Sequence, residues 1–293
     1  QKTAYEISTR DWSSDVCSSD LYYYATNACG SNNDVAVITI TTLPSAGTIS
    51  GTTAVCLGST TQLTSSVAGG AWSSSNSAIA SINSSGVVTG NSTGTATITY
   101  TVGAGTCTNS TTTTVTVNAL PTATIAAASA TTFCAGGSVT LMGPSAPAGM
   151  TYTYVWNLNG TAISGATANT YIANASGNYT VTVTNNNGCS ATSAATVVTV
   201  NALPTVAAIT GTTSVCVGSS TTLADATTGG TWSSSNTAIA TVNASTGAVT
   251  GVSAGTVTIT YTVTNANGCT NTATTSVTVN ALPTPTKIGR AHV

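Results

Sequence analysis

Between residues 22 and 286 the chain has no lysine, arginine, histidine or glutamate, and its carboxylates there are Asp34 and Asp225 alone. General acid–base chemistry, metal ligation and phosphate clamping all draw on the missing side chains. A Ser-His-Asp arrangement has no histidine to use, and two isolated aspartates make no paired-carboxylate site. No catalytic, cofactor-binding or metal-binding residue is therefore assigned, and no cofactor is expected. Without cationic side chains the chain has nothing to displace counterions from nucleic acid or to hold an anionic membrane surface. It also lacks a run of about 18 apolar residues that would span a bilayer. Low charge here does not signal disorder, since disordered chains are poor in the β-branched residues that abound in this one.

Most of the charge sits at the ends: Lys2, Glu6, Arg10, Asp11, Asp15, Asp20, Lys287, Arg290 and His292. The two ends are also related through the genetic code. Lys287 to Val293 can be encoded AAG ATC GGA AGA GCA CAC GTC, whose reverse complement translates as Asp-Val-Cys-Ser-Ser-Asp-Leu, the sequence of Asp15 to Leu21. Nothing in folding physics calls for seven mutually antisense codons. Residues 1–21 and 287–293 resemble translated sequencing adapters and lack the features of a signal peptide. Residues 22–286 are accordingly read as an internal piece of a longer protein.

That piece repeats itself. "GTTAVCLGSTTQL" at 51–63 answers "GTTSVCVGSSTTL" at 211–223, and "GGAWSSSNSAIASINSSGVVTG" answers "GGTWSSSNTAIATVNASTGAVTG". "VTVNALPT" ends three successive units. The expected organisation is a remnant of a repeat at 22–44, a repeat at 45–122, a repeat with a different interior at 123–204, another of the first type at 205–284, and the start of a linker at 285–286. A period near 80 residues is too long for a helical solenoid and suits separate small domains.

Within each unit the pattern is that of strands. "TVTITYTVT" at 256–264 alternates hydroxyl and apolar side chains, which gives a strand one wet and one dry face. Asn and Gly clusters such as "TNANGCT" mark hairpin turns. Many short strands in so few residues predict an all-β chain of two-sheet sandwiches in an extended array. Trp72, Trp156 and Trp232, one per unit, are the largest side chains available to each core; an exposed tryptophan that stacks on sugar is the alternative. One alternating Thr strand per twisted sandwich does not make the flat hydroxyl lattice that ice recognition needs. The unit junctions have no carboxylates with which to clamp calcium.

Cysteines follow the repeats. Each whole unit has one near its start and one in the turn before its last strand: Cys56 and Cys107, Cys134 and Cys189, Cys216 and Cys269. Cys29 occupies the second position of the remnant, so its partner is lost by truncation. One disulfide within each unit is expected, which implies an oxidising, exported location. Closing a loop of roughly 50 residues contributes on the order of 4 kcal/mol in the chain-entropy model. Reduced structural thiols are the alternative; metal binding is disfavoured by the wide spacing and absent histidines.

The combination of W-S-S-S-N, a following A-I-A, G-x-V-T-G and G-T-x-T-I-T-Y resembles the bacterial immunoglobulin-like group 2 repeat of large surface adhesins. The middle unit, with "YTYVWNLNG" and "GNYTVTVTNNNGC", is similar to PKD-like or immunoglobulin-like repeats of long secreted bacterial proteins. The resemblance implies a non-catalytic stalk or spacer, adhesin-like, in an extracellular or cell-surface protein, with each repeat monomeric within the array. Two other readings follow from it: modules that bind surface glycans or other extracellular proteins around Trp72, Trp156 or Trp232, and the spacer of a larger secreted enzyme. Lysine-to-asparagine isopeptide cross-links, known in some such adhesins, are excluded because the repeats have no lysine.

Overall fold

The computed structural model describes residues 16–18, 40–104 and 107–284, and every regular element among them is a strand. Most of the remnant repeat, including Cys29, lies outside the described residues. A short ladder joins Val16–Ser18, which falls in a segment expected to lie outside the repeats, to Ile40–Thr42. The chain forms two compact units. One contains the residues up to 123 with 145–154 and 182–192; the other contains 124–144, 155–181 and the residues from 193 onward. The middle repeat is thus shared between them.

The first repeat is a sandwich of two four-stranded sheets. One sheet orders Ile49–Gly51, Thr60–Ser65, Val87–Gly90 and Ala80–Ile82; the other orders Ala54–Cys56, Cys107–Asn118, Gly94–Ala104 and Ala71–Ser74. All neighbours are antiparallel except Ala54–Cys56, which runs parallel to the end of the longest strand with Cys56 opposite Asn118. The third repeat has the same plan: Thr210–Gly211, Ser220–Ala224, Ala248–Gly251 and Ala240–Val242 face Ser214–Cys216, Thr270–Asn280, Gly255–Thr264 and Thr231–Ser234. Alternation decides which residues meet in the core. Along Gly255–Thr264, Val257, Ile259, Tyr261 and Val263 are buried while the threonines between them point outward. Burying these apolar faces against one another stabilises each bead.

The middle repeat pairs Thr132–Cys134 with Thr196–Asn201 in the same parallel register, Cys134 opposite Asn201. Val139–Met142 lies between Ala126–Ala127 and Thr170–Ala173. Asn159 at φ 51° and Gly160 at φ 83° turn Tyr152–Leu158 back onto Thr161–Ala162, as the two-residue Asn-Gly hairpin requires. The Asn159 side-chain oxygen then accepts from the Asn178 N–H at 2.9 Å.

Candidate functional site: the repeat junctions

The signature residues of the first and third repeats are occupied with holding backbone. In "WSSSN", the Ser74 hydroxyl donates to the Ala80 carbonyl (2.6 Å) and the Asn76 oxygen accepts from the Ala78 N–H (3.1 Å). Ser234 and Asn236 do the same for Ala240 and Ala238 at 2.7 and 3.0 Å. The tyrosine of "TITY" closes the opposite corner. Tyr100 donates to the Val67 carbonyl and accepts from the Gly70 N–H, both at 2.8 Å; Tyr261 joins Thr227 and Gly230 at the same distances. Glycine is needed at 70 and 230 because a Cβ there would run into the tyrosine ring. None of these groups is left over for chemistry on a substrate.

The tryptophans are placed inward. Trp156 has no exposure, its indole N–H donates to the Ala168 carbonyl (2.9 Å), and its ring packs on Tyr171, which in turn packs on Tyr179. Trp232 is buried against Tyr261, with ring centroids 4.6 Å apart. Both rings are covered, so a sugar-stacking role for Trp156 and Trp232 is corrected: no face is open to a pyranose. Trp72 is half-buried and packs on Tyr100 at 4.6 Å in the same manner.

The hydroxyl faces are broader than one strand. Thr95, Thr97, Thr99 and Thr101 stand opposite Thr116, Thr114, Thr112 and Ser110 in the first repeat, and Ser73 extends the row of Thr99. The third repeat aligns Thr256, Thr258, Thr260 and Thr262 with Thr278, Ser276, Thr274 and Thr272. The expectation of a single Thr strand per sandwich is therefore corrected to paired columns. Two long antiparallel strands of the same period in register bring their outward residues side by side.

Cysteine pairing is the main departure from the sequence reading. Cys56 bonds Cys189, and Cys134 bonds Cys269, with Cα atoms 5.6 Å apart in each pair and sequence separations of 133 and 135. Cys107 and Cys216 are free. The expected pairings Cys56–Cys107, Cys134–Cys189 and Cys216–Cys269 are thus corrected, and the topology gives the reason. Cys56 lies opposite Asn118, the last residue of the strand that Cys107 begins. A twelve-residue strand holds its ends roughly 36 Å apart, far beyond disulfide reach. In the third repeat Cys216 faces Asn280 while Cys269 precedes the other end of Thr270–Asn280. The two cysteines of these repeats lie at opposite poles, and the available partner belongs to the adjacent repeat.

Each cystine is set in the same cradle. The turn "TNNNGC" of the middle repeat presents Asn185, whose side-chain oxygen accepts from the N–H groups of Asn187 and Cys189 at 3.0 Å. Its amide donates to the carbonyl of Ala119 in the preceding "VNALP" at 3.1 Å. The turn "TNANGC" of the third repeat repeats this with Asn265: Asn267 and Cys269 donate to it at 3.0 Å, and it donates to Ala202 at 2.8 Å. Asn271 adds a 2.9 Å bond to the Pro204 carbonyl. Asn185, Cys189 and Cys269 are buried. Sequence reading singled out these turns as hairpins but not as clamps; the recurrence of Asn-x-x-Gly-Cys against Asn-Ala-Leu-Pro was the available signal.

Among the described residues no group of three or more histidine, cysteine, aspartate or glutamate side chains gathers to hold a metal, and no helix is long and apolar enough to cross a membrane. Asp225 takes a local role: one oxygen accepts from the Thr227 N–H at 2.7 Å and the other is buried without a partner.

The family model of the bacterial Ig-like domain (group 2) matches residues 36–113 and 194–275. No curated protein matches the chain. Among solved structures, a Ca2+-stabilized adhesin with which an Antarctic bacterium binds ice is 16% identical, over 82% of this chain and 75% of that one, with a TM-score of 0.34. Invasin, a bacterial integrin-binding protein, is 16% identical over 83% of this chain and 62% of its own, at 0.31. The N-terminal eight Ig domains of Down syndrome cell adhesion molecule are 14% identical over 84% and 38%, at 0.34.

Proposed function

We propose, from the premise that this chain belongs to the bacterial Ig-like domain (group 2) family, that it is a non-catalytic, covalently stapled spacer segment of an exported or cell-surface protein. The observation that carries this reading is the pair of interlaced cystines, Cys56–Cys189 and Cys134–Cys269, each joining one repeat to the next. A staple inside a bead would stabilise that bead alone. One across a junction limits how far a tensioned chain can be drawn out, and that is useful to a stalk under load. Loops of this length contribute on the order of 5 kcal/mol each in the chain-entropy model when taken singly. Disulfides persist in oxidising compartments, which supports export, and an uncharged Ser, Thr and Asn surface suits exposure outside the cell. Catalysis finds no support in a region whose signature side chains hold backbone.

Pulling single molecules by the ends of the chain tests the reading. With both cystines intact, the shortest path between Cys56 and Cys269 runs through residues 134–189, so that region yields roughly 190 Å on full unfolding. After reduction the whole stretch from 56 to 269 unravels, roughly 750 Å. Equal extensions with and without reductant would remove the stapling, and with it the mechanical reading.

A further inference from the structure

The two cystines are buried unevenly. Cys189 and Cys269 have no exposure at all, whereas their partners Cys56 and Cys134 are partly exposed. Local structure accounts for the difference. Each buried cysteine closes an Asn-x-x-Gly-Cys turn, where the side-chain oxygen of Asn185 or Asn265 holds its N–H at 3.0 Å. Each partly exposed cysteine ends a three-residue strand at the edge of its sheet.

Thiol–disulfide exchange depends on which sulfur is attacked and on access to it. The incoming thiolate approaches the sulfur it bonds from the side opposite the sulfur it expels. To attack Cys189 or Cys269 it would have to arrive from a side on which every atom of the residue is covered. To attack Cys56 or Cys134 it arrives from the partly open side.

We propose that Cys56 and Cys134 are modification sites at which a small monothiol adds to the repeats, with Cys189 and Cys269 as the expelled partners. At the second cystine the thiolate bonds Cys134 Sγ, the Cys134–Cys269 bond breaks, and its electron pair stays on Cys269 Sγ. That sulfur takes the proton which the small thiol gave up to solvent. One disulfide and one thiol replace another disulfide and another thiol, so no further oxidant or reductant enters. Burial disfavours a lasting thiolate on Cys269. Its sulfur lies 4.0 Å from the Asn201 carbonyl, which accepts the S–H once the proton is taken up. The expelled thiol stays beside the adduct, held by its asparagine turn, and displaces the monothiol again at high effective concentration. Adducts are therefore few at any moment and confined to one cysteine of each pair. The assignment stands independently of the spacer reading, because it concerns which sulfur is open and not what load the bond bears.

The test uses the whole chain with both cystines formed and its free thiols first blocked with iodoacetamide. It is incubated with reduced glutathione over a concentration series, quenched in acid, alkylated with N-ethylmaleimide and mapped by mass spectrometry after pepsin cleavage. Glutathione on Cys134 should exceed glutathione on Cys269 by about ten-fold, and Cys56 should exceed Cys189 likewise, with the maleimide on the expelled partner. In concentrated urea, where both sulfurs of each pair are open, the bias should fall to within about two-fold. Equal adducts within a pair of the folded chain, an excess on Cys189 or Cys269, a bias that survives in urea, or no adduct at any glutathione concentration would each overturn the assignment.

Discussion

Asn265 donates its side-chain amide to the carbonyl of Ala202 at 2.8 Å, across the boundary between two repeats. The same side chain accepts from the Asn267 and Cys269 N–H groups. One residue thereby shapes the turn that presents Cys269 and ties that turn to the strand end beside Cys134. Replacing it with alanine removes one half-buried and two exposed hydrogen bonds, at a cost of about 0.5–1.5 kcal/mol. Asn265→Ala should lower the melting temperature and let dithiothreitol reduce Cys134–Cys269 before Cys56–Cys189. Asn265→Asp retains the acceptor and should lie between the two. Thiol trapping with mass spectrometry reads the order of reduction; unchanged order in Asn265→Ala would show that the clamp does not protect the cystine.

The corner at Tyr261 makes a paired prediction. Its hydroxyl joins the Thr227 carbonyl to the Gly230 N–H at 2.8 Å on both sides. Tyr261→Phe leaves both groups without their partner and should cost about 1–3 kcal/mol in denaturant unfolding. Gly230→Ala forces a Cβ against the same ring and the Thr262 carbonyl, so it should cost at least as much by overpacking. If Tyr261→Phe were neutral, water would be replacing the hydroxyl and the corner would carry little of the stability.

Such corners were legible in the sequence as a pattern and not as a contact. Alternation along "TVTITYTVT" specified which side chains enter the core, and Val257, Ile259, Tyr261 and Val263 are indeed buried. What the hydroxyl of Tyr261 would meet depended on "TTGG" at 227–230, some 30 residues earlier, and no local periodicity reports a pairing at that distance. The cysteines show the same limit more sharply. Their spacing within each repeat made an internal bond the simplest reading, because regular separation says nothing about which pole a residue occupies. The parallel pairing of the short strand ending at Cys56 with the end of Cys107–Asn118 decides that question, and a three-residue strand is too short to reveal its direction of pairing in sequence. The tryptophans lay between these cases: their size argued for the core, but only the placement of Tyr100, Tyr171 and Tyr261 shows which ring packs on each.

Asp225 is a site where the fold carries an avoidable burden. One carboxylate oxygen caps the Thr227 N–H, and the other is buried with no partner. At the equivalent place in the first repeat Ser65 accepts from the Val67 N–H with a hydroxyl, which leaves no second polar atom to desolvate. Asp225→Ser should therefore stabilise the third repeat by about 1 kcal/mol. Chemical denaturation at neutral pH measures it. A loss of stability would mean that the buried oxygen is hydrated and useful.

The scarcity of ionisable groups also fixes how stability responds to pH. Burial raises the Tyr179 phenol above its ordinary value of 10.0, with the neighbouring Tyr171 adding to the shift. Burial likewise raises Tyr154, helped by Tyr152. A phenol whose folded pKa is raised is neutral in both states at low pH, so its contribution is fully present below about pH 10. Above that the unfolded chain ionises first, and stability is lost as pH rises through the raised folded values. The oxidised protein should accordingly unfold at nearly constant denaturant concentration from about pH 5 to 8 and become steeply weaker above pH 10. Tyr179→Phe removes one of the two groups along with its 3.0 Å bond to the Ala175 carbonyl. It should lower stability at pH 7 but flatten the alkaline decline, and ultraviolet absorbance near 295 nm follows phenolate formation in the same titration. An alkaline decline of unchanged slope in Tyr179→Phe would assign the loss to other groups.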